Sequence, residues 1–259
     1  MYIRKVQHSV SSQESGRISL ENEVNNKFRV LLTKNGLAAL IFVTIILELV
    51  MNHSHVNAGH NLYYNGSMSH SSSVVAARII ILCVALAAML YVDTNNKVVT
   101  SESMVLAATV VFFALVMVAA NSLVILYICI EGLGLLSFVL ASERKTPTSV
   151  ESGLKYFFQS SFASIIMVAG IALLFAGSGD FKLTAIRLAL AAEQGPSLML
   201  QLGSAMMILA LLFKMAAFPG HFWVVDVYHG PSQFVLTFFA VVIKAAITLT
   251  AINVFVNIV

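Results

Sequence analysis

Residues 104–141 read MVLAATVVFFALVMVAANSLVILYICIEGLGLLSFVLA, and this apolar run decides the fold class. One helix over the whole run would be about 57 Å long at 1.5 Å per residue, whereas the apolar core of a bilayer is about 30 Å thick. Asn121 and Ser122 interrupt the run near its middle. The stretch therefore predicts two membrane-spanning helices joined by a tight connection, Met104–Ala120 and Ser122–Ala141.

The composition of the rest of the chain agrees with lipid as the solvent. Hydrophobic residues make up 59% of the sequence, charged residues only 10%, and the mean hydropathy is +0.89. A soluble domain carries about a quarter charged residues. The 15 lysines and arginines flank apolar runs instead of forming a basic patch, so we expect no nucleic-acid partner.

Five more apolar stretches complete an all-α polytopic membrane bundle of about seven transmembrane helices. They are predicted at Leu37–Met51, Val74–Val92, Leu154–Ala176, Leu198–Phe218 and Phe234–Val259. Residues 1–36 form a predicted polar extension, and residues 37–103 a predicted N-terminal group of helices. The extension holds six of the basic residues, so the positive-inside rule places the N-terminus on the cytoplasmic or matrix side and the C-terminus opposite.

Nothing in the sequence predicts a metal or cofactor site. The loop at residues 52–73 is rich in histidine, but the spacing is irregular and no cysteine or carboxylate accompanies it, so a solvated loop is favoured. The two cysteines lie in apolar runs and match no iron–sulfur pattern. The histidines of the loop are His53, His55, His60 and His70, the cysteines are Cys83 and Cys129, and the group His221, Asp226 and His229 also lacks the spacing of a metal site.

Three charged residues lie inside predicted spans: Glu131, Lys214 and Lys244. Each costs about 2.5–3.5 kcal/mol at the centre of a membrane helix on insertion scales. One reading is a buried ion pair that only pins two helices together, with the third charge reaching an interface. Three buried charges on three helices are better explained as a proton relay, because such residues face one another or a wet cavity.

Pro219 and Gly220 follow Lys214 closely. Proline cannot donate a backbone hydrogen bond, and it distorts the turn before it. A helix broken beside a buried lysine brings water and ions towards the middle of the membrane. The alternative is an ordinary span end followed by a Pro-Gly turn.

Two motifs resemble a known family. SVESGLKYFF at residues 149–158 and FKMAAFPGHFWVVDVYHGP at residues 213–231 are similar to subunit 2 of respiratory NADH:ubiquinone oxidoreductase, complex I, and the resemblance covers residues 104–259. Gly220 and Val225 stand where the family commonly has Phe and Pro, and Pro231-Ser232 departs from its Gly-Ala-Pro. These departures weaken the match at the broken helix but leave the charges in place.

The resemblance implies that residues 104–259 are the first antiporter-like proton-translocation repeat, with a broken helix near Pro219. Glu131, Lys214 and Lys244 would transfer protons, and His221 would be an additional relay. FMN, iron–sulfur clusters and ubiquinone are expected on other subunits, with no cofactor bound by this chain. The isolated chain is expected to have no activity.

The resemblance also implies partners and a place in the cell. The expected partners are other membrane-arm subunits, membrane lipid, and a separate chain with the C-terminal helices that this sequence lacks; a split subunit is favoured over a truncated one. The expected location is the mitochondrial inner membrane. Two rival functions are a cation/proton antiporter subunit and a scaffold that transports nothing.

Overall fold

The chain folds into long apolar helices, because backbone polar groups in lipid must be satisfied within the segment itself. The structure, a computed structural model, describes residues 24–25, 28–50, 61–91, 99–192, 197–218 and 220–258. Within these ranges six helices are long and apolar enough to cross a membrane. They are α1 (Phe28–Val50), α2 (Ser72–Leu90), α3 (Ser101–Val118), α4 (Leu123–Ala141), α5 (Pro147–Ser178) and a last helix, Gln233–Val256.

Shorter helices lie between α5 and the last long helix. They are α6 (Leu183–Leu190), α7 (Leu198–Lys214) and α8 (Trp223–Tyr228). The last helix is continuous but changes its winding, from α9 (Gln233–Thr237) through a π-helical segment (Phe238–Ile243) to α10 (Lys244–Ile258). The predicted all-α polytopic bundle is confirmed.

Three predicted span boundaries are wrong. The first span was predicted to begin at Leu37, but α1 begins at Phe28. The helix already includes the polar residues 33–36, which come before the apolar run. The fifth span was predicted to begin at Leu154, but α5 begins seven residues earlier, at Pro147. The sixth was predicted to reach Phe218, but α7 ends at Lys214 and is shorter than the other spans. The predicted extension therefore contributes residues 28–36 to a helix, while residues 1–23 lie outside the described ranges.

The predicted histidine-rich loop contains a small β-hairpin. Strands β1 (Asn61–Tyr63) and β2 (Met68–His70) pair antiparallel, with Asn61 opposite His70. Residues 51–60 lie outside the described part of the chain, and with them His53, His55 and His60.

The break between α3 and α4 falls where the sequence predicts it. The Asn121 side-chain amide donates to the carbonyl of Gly66 at 2.8 Å, and its backbone N–H donates to the carbonyl of Ser67 at 2.9 Å. The Asn121 carbonyl accepts from the N–H of Leu183 at 2.8 Å. The polar residue thus ties the α3–α4 connection to the hairpin and to the start of α6, and the two predicted helices are confirmed.

Close packing of α5 on α7 positions the charged site. A Cβ added to Gly170 of α5 would lie 3.0 Å from the backbone nitrogen of Met207, and one added to Gly203 of α7 would lie 2.9 Å from that of Leu174. Glycines therefore let the two backbones approach closely, as small residues do between membrane helices. The C-terminal end of α7, with Lys214, is held against α5 and the neighbouring α4.

Candidate functional site

Glu131 of α4 and Lys214 of α7 form an ion pair inside the bundle. The distance from Lys214 Nζ to Glu131 Oε1 is 3.1 Å, and the lysine side chain is only 7% exposed. Gly134, one turn after Glu131, makes room for the Ser160 hydroxyl, because a Cβ there would lie 2.9 Å from Ser160 Oγ. The structure thus brings together two of the three predicted charges.

Two serines of α5 complete the surroundings of the ammonium. Lys214 Nζ lies 3.1 Å from Ser160 Oγ and 3.1 Å from Ser164 Oγ. A lysine ammonium has three donors, so Glu131 and the two hydroxyls satisfy all of them. The charged form of Lys214 is therefore fully hydrogen-bonded despite its burial.

Ser164 has two acceptors within reach. Its hydroxyl contacts Glu131 Oε1 and also lies 2.9 Å from the backbone carbonyl of Ser160. A hydroxyl carries one hydrogen, so it donates to one of these acceptors at a time. Rotation of the Ser164 hydroxyl changes how strongly Glu131 is stabilised as an anion, and hence how strongly it holds Lys214.

The end of α7 is made by a left-handed alanine. Ala216 has φ of 56°, its N–H donates to the carbonyl of Phe213 at 3.0 Å, and the N–H of Ala217 donates to that of Leu212 at 2.9 Å. This is a Schellman ending, in which glycine usually takes the left-handed position. The helix therefore stops before Pro219, which itself lies outside the described residues.

After the end of α7 the chain folds back over it. A Cβ at Gly220 would lie 2.9 Å from Phe213 Cδ2, so the turn needs a residue without a side chain. The indole Nε1 of Trp223 donates to the carbonyl of Phe213 at 3.3 Å. The segment that follows the break thus satisfies backbone carbonyls at the end of α7, as the interior of a membrane requires.

Lys244 lies across a small cavity from Lys214. The cavity has a volume of about 20 Å³ and is lined by both lysines together with aromatic and apolar side chains, namely Tyr156, Trp223, Tyr228, Phe239 and Ile243. A site needs about 10–15 Å³ to hold one water molecule. The cavity that both lysines border is therefore large enough for a single water. Lys244 Nζ also lies 5.4 Å from the centre of the Tyr228 ring.

A second cavity of the same size also borders Lys214, next to Gly134, Gln159 and Ser160, and shares part of its wall with the first. Lys214 thus borders two water-sized spaces. It is a buried cation with a carboxylate partner and room for hydration beside it.

The family model described as NADH:quinone oxidoreductase/Mrp antiporter, TM, matches residues 120–258, more than half of the chain. The chain belongs to this family. The matched residues run from the end of α3 through α10 and include all three charges.

Two relatives within the NADH:quinone oxidoreductase/Mrp antiporter family illustrate the likeness. NADH-quinone oxidoreductase subunit N of Cytophaga hutchinsonii is 36% identical over 132 residues, which are 51% of this chain and 28% of the relative. Subunit N of Rhodospirillum rubrum is 38% identical over 138 residues, 52% of this chain and 28% of the relative. The matched stretch thus spans less than a third of these relatives.

Solved structures share the fold over more of the chain. A chain of respiratory complex I from Thermus thermophilus has a TM-score of 0.64 at 22% identity, with 86% of this chain and 52% of that chain covered. A chain of the membrane-bound sulfane sulfur reductase, an archaeal respiratory membrane complex, has a TM-score of 0.70 at 19% identity, with coverage of 85% and 48%. The match to the family model confirms the predicted antiporter-like family, and the two solved structures show that the fold extends to helices outside the matched residues.

Other predicted site residues are placed less centrally. His221 is exposed, with its ring centre 5.8 Å from that of Phe218, and its imidazole makes no hydrogen bond or ion pair within the described ranges. Its role as a relay stays a prediction. Among the described residues no group of three or more His, Cys, Asp or Glu side chains could hold a metal.

Sequence reasoning missed Ser160 and Ser164. Both lie in an apolar helix, where serine often only donates to a backbone carbonyl one turn earlier. The usable signal is their spacing of four residues, which puts both hydroxyls on one face of α5.

Proposed function

We propose that the chain is an antiporter-like membrane-arm subunit of an NADH:quinone oxidoreductase complex, the subunit called 2 in mitochondria and N in bacteria. Its function is to provide a proton half-channel without any redox chemistry of its own. The observation that carries the proposal is the Glu131–Lys214 pair, whose lysine borders, together with Lys244, a cavity large enough for one water.

The proton is held at Lys214 by its partner. Two opposite charges about 4 Å apart attract by roughly 4 kcal/mol at an effective dielectric constant of 20. Moving Glu131 away by a few ångströms removes much of this attraction. The ammonium then gives a proton to the water in the shared cavity, and that water gives one of its own protons to neutral Lys244. Atoms and charge balance, since Lys214 ends neutral and Lys244 ends charged.

The driving event lies outside this chain. We propose that FMN, iron–sulfur clusters and ubiquinone bind to partner subunits, and that their chemistry moves the element carrying Glu131. From Lys244 the proton continues into further helices, supplied by the same polypeptide or by a partner. The other membrane-arm subunits are the proposed neighbours.

The proposed membrane is the mitochondrial inner membrane, with the N-terminal segment on the matrix side. The six basic residues before residue 37 support this orientation. The relatives named above come from bacteria, where the corresponding place is the plasma membrane. Fractionation, followed by protease protection of a tag at the N-terminus, distinguishes the two membranes and the two orientations.

A cation/proton antiporter is the second candidate, because the matched family model also describes Mrp antiporters. It would exchange ions in vesicles without NADH or quinone. Ion exchange that needs no redox substrate would favour this candidate over the first.

The test is proton pumping by the reconstituted complex that contains this chain. Glu131→Ala and Lys214→Ala are expected to lower the number of protons moved per NADH oxidised. Lys155→Ala is the matched control, since this lysine of α5 is 45% exposed and pairs with the exposed Glu151. Full pumping stoichiometry in both site variants would refute the proton relay and favour the alternative that the chain is a scaffold that transports nothing.

A further inference from the structure

A second cavity lies far from the three charges, between α1, the hairpin, α2 and α3. Its volume is about 510 Å³, within the range of about 300–1,000 Å³ typical of sites for small ligands. Most of its wall is apolar, with Leu47, Met68, Leu82 and Leu115 among the lining residues. We call it the α1 groove.

The α1 groove contains an ion pair with donors to spare. Arg78 Nη1 of α2 lies 3.0 Å from Glu48 Oε1 of α1, and the two side chains are 19% and 22% exposed. Arg78 Nε is buried and has no hydrogen-bond partner within the described residues. A guanidinium carries five N–H donors in a fork, so Arg78 can donate to a ligand in the groove while it keeps its bond to Glu48.

The depth of the groove fits a lipid headgroup. Glu48 lies in the last turn of α1 and Arg78 about two turns into α2, so the pair sits near one end of both spans. Tyr63 and Tyr64 of the hairpin line the mouth and are exposed. Tyrosines are enriched at the level where headgroups meet acyl chains.

We propose that the α1 groove binds one phospholipid with an ethanolamine headgroup. The phosphate accepts from the Arg78 guanidinium, the primary ammonium donates to Glu48, and an acyl chain lies along Leu47 and Leu82. The pair and the headgroup each sum to zero charge, so the buried site stays neutral. A choline headgroup has no N–H to donate to Glu48, and a glycerol headgroup adds an uncompensated negative charge.

The lipid would attach α1 to the bundle. Much of α1 faces outward, with Leu40, Phe42 and Val43 all more than half exposed. The Glu48–Arg78 pair joins it to α2, and the groove beside that pair leaves a space that an acyl chain fills. The proposal is independent of proton transfer, because none of its residues belongs to the Glu131–Lys214 site.

The experiment is lipid analysis of the chain purified in its native complex. The complex is washed in mild detergent, and the phospholipids that stay bound are extracted and classified by mass spectrometry. Phosphatidylethanolamine is expected to be retained by the unaltered protein and to fall about tenfold in Arg78→Met and in Glu48→Gln. Arg187→Met is the control, because this exposed arginine of α6 lies outside the groove.

A second variant guards against a folding defect. Leu47 is 55% exposed and lines the groove, so Leu47→Trp fills the space without touching either charge. It is expected to lower ethanolamine-lipid retention while the complex keeps its subunits and its melting temperature. Equal retention in all the variants would overturn the proposal. So would preferential retention of choline or glycerol lipids, or occupation of the groove by a neighbouring subunit.

Discussion

Two of the ion pairs in the described helices have nearly equal length and opposite design. Glu131–Lys214 has a separation of 3.1 Å and Glu48–Arg78 one of 3.0 Å. Every donor of Lys214 has an acceptor, and water-sized cavities adjoin it, whereas Arg78 keeps an unpartnered donor beside a much larger groove. Arginine does not release its proton in proteins, while a buried lysine can. Under the proposed function the lysine pair exchanges a proton, whereas the arginine pair stays charged.

The strongest test of this difference is Lys214→Arg. It keeps the positive charge and the bond to Glu131 but removes the ability to give up a proton. We expect proton pumping through this subunit to be lost as fully as in Lys214→Ala, although the complex assembles. Pumping is measured as protons moved per NADH oxidised in vesicles. The reverse change in the other pair, Arg78→Lys, should leave the number of protons per NADH unchanged. Normal pumping by Lys214→Arg would refute the idea that Lys214 must release its proton.

Removal of the hydroxyl of Ser164 should have the next largest effect. Ser164→Ala takes one hydrogen bond from Lys214 and one from Glu131, and a bond to a charged group contributes about 1.5–3 kcal/mol. We expect pumping to slow by about tenfold or more and its pH dependence to shift. Ser161→Ala is the control, because that neighbouring hydroxyl is exposed and donates to the carbonyl of Phe157. Equal rates and pH profiles in the two variants would show that Ser164 only fills space.

A smaller effect is expected at the end of α7, where one substitution should stabilise the fold. Ala216 is held at φ of 56°, where a residue with a Cβ costs about 1–2 kcal/mol relative to glycine. Ala216→Gly should therefore stabilise this ending by about 1 kcal/mol, seen as a higher melting temperature of the subunit in the complex. Ala217→Gly, one residue later, is the comparison and should not stabilise. A loss of stability in Ala216→Gly would contradict the Schellman ending.

The smallest expected effect concerns Glu143, a carboxylate in the loop between α4 and α5. Burial raises the pKa of Glu143, and its Oε2 has no partner in the described chain. Because the folded pKa exceeds the unfolded value, its contribution to stability is present at low pH and falls as pH rises through the folded pKa. Melting temperatures measured across that range should decline less in Glu143→Gln. Parallel curves for both proteins would rule this out.

The sequence was informative at positions where a polar or charged residue costs free energy in the membrane. Glu131, Lys214 and Lys244 stand out in apolar runs, and so does the Asn121–Ser122 break, whose polar groups bind the hairpin and α6. The stop at Ala216 was not predictable, since alanine favours helices and its left-handed conformation is imposed by the tertiary fold. The start of α1 was misplaced for a related reason: helical backbone runs past the end of an apolar pattern.

The sequence of the histidine-rich loop contains a turn signal that indicates the hairpin. Asn65-Gly66 is the dipeptide that favours tight turns between strands, and Tyr64 and Asn65 both adopt positive φ. The role of Ser160 and Ser164 could not be read in the same way, because their importance depends on a lysine that arrives from α7. Sequence locates the charges, but only the packing of three helices identifies their partners.

The π-helical segment Phe238–Ile243, directly before Lys244, has a geometric consequence. Each residue of an α-helix advances about 100° around the axis, and a π turn accommodates one residue more than an α turn. The part of the helix that begins at Lys244 is therefore rotated, as a unit, against the part that begins at Gln233. The π-helical segment sets the direction in which Lys244 points around the helix axis. Deletion of a single residue inside the segment would therefore turn the lysine away from Lys214 without altering any side chain of the site.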